Sequence, residues 1–262
     1  MHALCSQLSA DTCTFNRIEY LALCKDVDVN KTTSSCHRTP LQLLFHYNRG
    51  NTIFPCLQAL LKRKSVDLDV TDEEGNTVLS NACFHRRDGK KFLKLVAVLI
   101  NHGVDVNKTN NKGWNAILSL LCRPKTKGNV PDLLEIVRAL INAGADLKVT
   151  CKDGSNVLTA LGTNYNTHPD FFAVLRLLIQ HGANVNSVGF KKQNILSIIC
   201  FKYKEDDFVD IVRFLLKCDV ETNKRDGHDL KPVDILLGKR GFSKDSEVVR
   251  IIQDTYKMNP YV

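Results

Sequence analysis

The stretch LKLVAVLINHGVDVN, Leu93 to Asn107, decides the fold. Leu93, Val96, Ala97, Leu99 and Ile100 recur at helical spacing, so one face of a helix can be buried. His102-Gly103 ends that helix, because glycine enters the left-handed conformation without a Cβ clash. Val104-Asp105-Val106-Asn107 then alternates apolar and polar, as an extended arm does. The same order of helix, stop and arm returns in LLEIVRALINAGADLK (Leu133 to Lys148), FFAVLRLLIQHGANVN (Phe171 to Asn186) and DFVDIVRFLLKCDVETN (Asp207 to Asn223). Weaker copies are RIEYLALCKDVDVN (Arg17 to Asn30) and LQALLKRKSVDLDV (Leu57 to Val70). The last arm residues are Asn30, Asp69, Asn107, Lys148, Asn186 and Asn223, spaced by 39, 38, 41, 38 and 37 residues. A period of this length predicts a stack of like units.

After each arm comes a second recurring segment: HRTPLQLLF from His37, GNTVLSNAC from Gly75, GWNAILSLLC from Gly113, GSNVLTAL from Gly154, KQNILSIIC from Lys192 and DLKPVDILL from Asp229. Thr39, Thr77, Asn115, Asn156 and Asn194 share one position, with Lys231 at the sixth copy. A Thr or Asn oxygen there can cap the first turn of a helix. A short apolar helix follows, then a loop, then the longer helix. Such helices are marginal alone in water, so stacking must stabilise them.

Thr39-Pro40-Leu41, the Gly-x-Thr/Asn openings and the closing Gly182-Ala183-Asn184-Val185-Asn186 together resemble ankyrin repeats, over about residues 14 to 256. The resemblance implies an all-α ankyrin-repeat solenoid of helix-turn-helix units with short extended turns. It places a degenerate N-terminal capping repeat at 1–30, in which Met1 to Asp11 supplies the first helix. Five repeats follow at about 31–70, 71–108, 109–149, 150–187 and 188–223, then a C-terminal capping repeat at 224–256 and a tail at 257–262. In the last repeat Val248, Val249, Ile251 and Ile252 should be buried, with Lys244, Glu247, Arg250 and Asp254 outside.

This chain also departs from the family pattern. Its repeats run about five residues longer than the usual 33 or so. The excess lies between the helices, where Pro131-Asp132 and Pro169-Asp170 should restart the second helix. The usual His of the first helix is replaced by Gln42, Ser80, Thr159, Ser197 or Asp234, which puts hydrogen bonding between repeats in question. Asp26, Lys64 and Asp219 stand where the helix-ending Gly belongs, so looser junctions are expected there.

Apolar content of 44% is enough for a continuous core seam, and the formal charge of +8 stops short of a nucleic-acid signature. No secretory leader is expected, since the first basic residue is Arg17, and no apolar run approaches a membrane span of roughly 18 residues. The ten cysteines then read as reduced thiols, with Cys83, Cys122 and Cys200 in core slots. An intracellular location, cytoplasmic or nuclear, follows as the expectation.

Catalytic signatures are missing: there is no HExxH, CxxC, Gly-rich phosphate loop or GxSxG. Cys36-His37 and Cys83-x-His85 lack matching second halves for a metal. His102 and His181 precede helix-ending glycines, where a capping role suffices. The expectation is no enzyme, no cofactor and no metal.

The resemblance implies instead a protein-binding module, a monomer whose partner is another protein rather than nucleic acid or a membrane. Its recognition surface would be the concave one formed by the turns and the inner helices. The turn residues that map there are Glu73, Glu74 and Asn76; Asn111, Lys112 and Trp114; Lys152, Asp153 and Ser155; and Phe190, Lys191, Lys192 and Gln193. Asn81 and Ser119 would join them from the helices. Trp114, the only Trp, sits where the scaffold does not need one, so it is a candidate hot spot. Packing on the neighbouring turn would explain it as well.

A second patch is basic. Arg86, Arg87, Lys90 and Lys91 share one inter-helix loop, and Arg123, Lys125 and Lys127 the next. A solvated edge accounts for them; phosphate or nucleic-acid binding is the sharper alternative. Another alternative is a substrate-recognition adaptor of a ubiquitin ligase, which would need a ligase-binding box, and none follows Tyr256. The resemblance also implies asparaginyl hydroxylation, for which Leu99 and Asp105-Val106-Asn107 make Asn107 the best-matched target.

Overall fold

The computed structural model describes residues 27–34, 36–47, 53–85, 89–122 and 130–258. Most of the expected N-terminal cap, including Met1 to Asp11 and Asp26, lies outside the described residues. The chain divides after Asp146 into two compact units. The first carries helices α1 (Pro40–Tyr47), α2 (Ile53–Leu61), α3 (Val78–His85), α4 (Gly89–Asn101), α5 (Ala116–Leu121) and α6 (Leu133–Asn142). The second carries α7 (Val157–Asn164), α8 (Phe171–Gln180), α9 (Ile195–Lys202), α10 (Phe208–Lys217), α11 (Pro232–Asp234) and α12 (Glu247–Met258). A π-helical turn, Ile235–Lys239, continues α11. Among the described residues the fold is all-α, with one isolated bridge between Thr150 and Asn156.

In the first unit α1, α3 and α5 pack on one another in sequence, and each also meets the helix that follows it. In the second unit α7 packs on α8 and α9, and α10 on α12. The inner helices are apolar nearly all round: every residue of α5 is buried, and so are Ile195 to Cys200 of α9. The outer helices instead bury one stripe. It reads Leu133, Ile136, Val137, Leu140 in α6, Phe171, Val174, Leu175, Leu178 in α8, and Phe208, Ile211, Val212, Leu215 in α10. Steps of three and four residues keep such a stripe on one side of a helix.

Helix α4 follows the same rule, and this corrects the sequence reading. Its buried residues are Phe92, Leu95, Val96 and Leu99, whereas Leu93, Ala97 and Ile100 are only half-buried. The face begins one residue before the stretch that suggested it. The arm is as expected, with Val104 and Val106 buried and Asp105 and Asn107 exposed. In the last helix Val248, Val249 and Ile252 are buried, but Ile251 is half-buried. Lys244, Glu247, Arg250 and Asp254 are exposed, and α12 runs to Met258, past the expected boundary.

All five expected caps form. Thr39 Oγ1, Thr77 Oγ1, Asn115 Oδ1, Asn156 Oδ1 and Asn194 Oδ1 each accept the backbone N–H three residues on, at 2.9–3.2 Å. At the sixth position the polarity is reversed: Lys231 N donates to Asp234 Oδ2 at 3.0 Å. The slot that lost its His turns the bond inward, since Gln42 Oε1 and Thr159 Oγ1 accept from the backbone N–H of Thr39 and Asn156. Bridging to the next helix pair persists. Gln42 Nε2 donates to Val70 O and Asn76 O, Asn115 Nδ2 to Asp146 O and Asn194 Nδ2 to Glu221 O.

Two junction expectations change. Asp219 holds the left-handed conformation (φ 58°) and keeps the glycine pattern, with Val220 N donating to Leu215 O as Ala183 N does to Leu178 O. That junction is strained rather than loose. At Lys64 the left-handed turn is not adopted, and Arg63 N donates to Leu60 O instead. Neither Pro131 nor Pro169 lies inside its helix. Asp132 is left-handed (φ 58°), and neither it nor Asp170 makes a side-chain cap bond. His168 Nδ1 accepts from Asp170 N in their place.

Candidate functional site

Each helix pair is entered through a hairpin turn, and the turn carries the most exposed side chains of the expected partner surface. Backbone bonds close these turns: Asp72 N to Asn76 O, Asn110 N to Trp114 O, Cys151 N to Ser155 O, Gly189 N to Gln193 O and Asp226 N to Leu230 O, all at 2.9–3.0 Å. Three of the opening residues also reach back with their own side chains. Asp72 Oδ1 accepts from Glu74 N and Asn76 N, Asn110 Oδ1 from Lys112 N and Trp114 N, and Asp226 Oδ1 from His228 N and Leu230 N. Asp and Asn favour turns for this reason. Burial works against the Asp226 carboxylate, but the bonds from Leu230, Gln193 and His228 outweigh it and hold its pKa below the ordinary value.

At the third turn Cys151 opens the hairpin and cannot do this work. Asp153 takes it over, its Oδ1 accepting the Cys151 thiol at 2.7 Å and Ser155 N at 2.8 Å, and the thiol bond is the main cause of its lowered pKa. Within each unit neighbouring turns are laced together. Asn111 donates through N to Glu74 O and through Nδ2 to Glu73 O, and Asn110 Nδ2 donates to Asn76 Oδ1. In the second unit Gln193 Nε2 reaches Asp226 Oδ2, and Gly227 N reaches Lys191 O.

The expected site residues divide. Glu73, Glu74, Asn111, Lys112, Lys152, Asp153, Phe190, Lys191 and Lys192 are exposed, while Ser155 and Gln193 are half-buried. Asn76, Asn81 and Ser119 do not belong on an open surface. Asn76 is buried by its bonds to Asp72 and Asn110, and Asn81 is 5% exposed with Nδ2 on Asp72 Oδ2. Ser119 is 1% exposed, and its Oγ has no hydrogen-bond partner.

Trp114 is half-buried, and the scaffold does use it. Its ring lies 5.7 Å from that of Phe84 at the end of α3, with Lys112 Nζ 4.8 Å from the indole centroid. Phe190 is the contrary case, 63% exposed. The residues that sequence reasoning passed over are Asp72, Asn110 and Asp226. Their signal was an Asp or Asn three residues after the arm's end, in phase with the period.

Of the basic edge, Arg86, Arg87, Arg123, Lys125 and Lys127, and the side chain of Lys90, lie outside the described residues; Lys91 is exposed on α4. Asn107 is exposed, and both ends of its amide are engaged: Nδ2 donates to Gly144 O at 2.8 Å, and Oδ1 accepts from Asp146 N at 2.7 Å. Asn30 and Asn186 make the same two bonds, to Ser65 and Asp67 and to Asp219 and Glu221. Cys83 and Cys200 are fully buried and burial pushes their thiols up to about 12, while Cys122 is only half-buried. Among the described residues no His, Cys, Asp and Glu cluster could hold a metal, and no helix is long and apolar enough to cross a membrane.

These helix pairs, caps and hairpin turns define a repeat scaffold, and comparison identifies which. Residues 127–226 match the family model of ankyrin repeats in three copies. The ankyrin repeat domain of Bcl-3, described as a unique member of the IkappaB protein family, superposes with a TM-score of 0.62 at 20% identity, covering 96% of both chains. An ankyrin repeat domain from Acinetobacter baumannii gives 0.62 at 24% identity, covering 82% of this chain and 97% of its own. No curated protein matches the chain in sequence. Residues 127–226 are ankyrin repeats, and the chain has the ankyrin-repeat fold. Ankyrin repeats are in general protein–protein interaction modules.

Proposed function

We propose that this chain is a non-enzymatic protein-binding module that meets its partner on the hairpin turns. The supporting observation is a division of labour within each turn. The backbone is held by bonds among the turn residues and to the neighbouring turn, which leaves exposed side chains such as Glu73, Lys152, Phe190 and Lys192 without a part in holding it. Such a surface is ordered before binding, so docking loses little conformational entropy. Asn107 remains the expected hydroxylation target, although modification would have to draw it out of its two backbone bonds. Intact-mass analysis after treatment with an asparaginyl hydroxylase reads that directly, and absence of an added oxygen removes it.

Photo-cross-linking tests the binding surface. A benzophenone side chain at Glu73, Lys152 or Phe190 should give discrete protein adducts in an extract of the source cells. The same probe at exposed Arg138 or Arg213 on the outer helices should give few. Adducts confined to the outer-helix positions would overturn the proposal.

A further inference from the structure

We propose that the turn at 189–193 docks an acidic peptide segment of the partner. An apolar side chain of that segment packs on the Phe190 ring, and its carboxylates pair with Lys152, Lys191 and Lys192. The inference rests on the protein-binding reading above and adds the chemistry of the ligand. Phe190 is 63% exposed, against 42% for Phe201 and 37% for Val188, the other exposed large apolar residues described. A ring so placed contributes little to the core, and it stands at the tip of a turn.

That turn differs from its neighbours in charge. Asp72 and Asp226 keep a buried carboxylate at the opening of theirs, but here the opening residue is Gly189, because a Cβ would lie 2.6 Å from Thr159 Oγ1. No negative charge therefore sits within the turn to balance Lys191 and Lys192. Lys152 belongs to the adjoining turn, where a Cβ added to Gly154 would lie 3.7–3.8 Å from the backbone of Gly189 and Phe190. No ion pair among the described residues involves any of these three lysines. The acids of the adjoining turns are engaged, Asp153 by Cys151 and Ser155, Asp226 by Gln193, His228 and Leu230, and Asp229 by Arg225 at 3.1 Å.

The turn is also strained and held. Lys191 and Lys192 are both left-handed, with φ of 59° and 54°. Bonds from Gly189 N to Gln193 O, Lys192 N to Gly189 O and Gly227 N to Lys191 O fix that shape. Strain of this kind persists only where surrounding structure enforces it, and it is found most often at binding sites. A peptide fits better than a nucleic acid, because one exposed ring offers no succession of stacking platforms.

Panning a random-peptide phage library on the full chain tests the assignment. Enriched peptides should carry acidic residues around an aliphatic or aromatic one. A synthetic copy should bind about tenfold more weakly to F190A and to the K191E/K192E double variant, and more weakly as salt rises. No enrichment, enrichment without acidic bias, or equal binding by the wild-type chain and both variants would overturn it. So would tighter binding of oligo(dT) than of the peptide in the same titration. Peptides retained by F190A but lost by W114A would remove this turn alone and leave the protein-binding reading standing. No enrichment together with no turn-specific cross-link would remove both.

Discussion

Asp72, 4% exposed, lies beneath its turn and accepts from Glu74 N, Asn76 N, Asn81 Nδ2 and Arg38 Nε. Gly189 opens the equivalent turn of the second unit without a side chain. There two lysines are left-handed, and only backbone bonds close the turn, with Gly227 N and the Gln193–Asp226 bond tying it to the next. The first turn carries its own buried carboxylate, and its exposed residues are acidic, Glu73 and Glu74. The second lacks an internal carboxylate, and its exposed residues are cationic around the Phe190 ring, with Lys191 Nζ 5.8 Å from its centroid. A repeat scaffold can thus close the same pair of ends, Asp72 N to Asn76 O and Gly189 N to Gln193 O, with or without an internal carboxylate, and that choice decides what charge is left facing solvent.

Both turns ride on tightly packed helix pairs. Leu99→Ala in the first unit and Leu178→Ala in the second should each cost roughly 2–5 kcal/mol in urea unfolding, since both side chains are fully buried. A small loss at one alone would mean that the scaffolds differ. Next in size, Asp72→Ala strips four acceptor contacts and should cost about 3 kcal/mol, measured in the same way. An effect below about 0.5 kcal/mol would show that backbone bonds hold the turn without the carboxylate, as they do at Gly189.

Asp226 tests the outside support through pH. Its folded pKa is lowered, so its contribution to stability is present above the unfolded carboxylate value and is lost as pH falls through the folded one. Asp226→Asn should flatten that acid limb of the stability profile, and an unchanged slope would contradict the bonding described. Asp219→Gly should raise stability by about 1 kcal/mol by relieving a left-handed non-glycine residue, read as a higher melting temperature. The smallest effect belongs to Phe190→Ala, within about 0.5 kcal/mol of the parent, because so little of the ring is packed. A larger loss would mean that the ring supports its turn.

What the sequence revealed was whatever repeats. The period, the Thr or Asn caps and the helix-ending glycines are local patterns copied in phase, and each is visible without knowing its neighbours. The face of α4 was misjudged by starting at Leu93 and leaving out Phe92 and Leu95, although α6, α8 and α10 carry the same stripe more cleanly. What stayed hidden depends on contacts between distant residues. Asn81 looks available until Asp72 reaches it, and Trp114 looks idle until Phe84 is found beneath it. Gly189 looks like an ordinary turn glycine until Thr159, thirty positions earlier, is seen to occupy the space of its Cβ.

The paired amide bonds of Asn30, Asn107 and Asn186 bear on how the protein ages. Deamidation would turn the donating end of such a clasp into a negatively charged oxygen facing a carbonyl, and the junction would lose one bond and gain a repulsion. Asp69 shows the arrangement that survives with a carboxylate: it only accepts, from Asp105 N, and Lys108 Nζ supplies a donor by reaching the Asp69 carbonyl at 2.7 Å. Asn30, Asn107 and Asn186 have no such lysine bonded to their carbonyls among the described residues, so chemical wear should open those three joints before it troubles the one at Asp69.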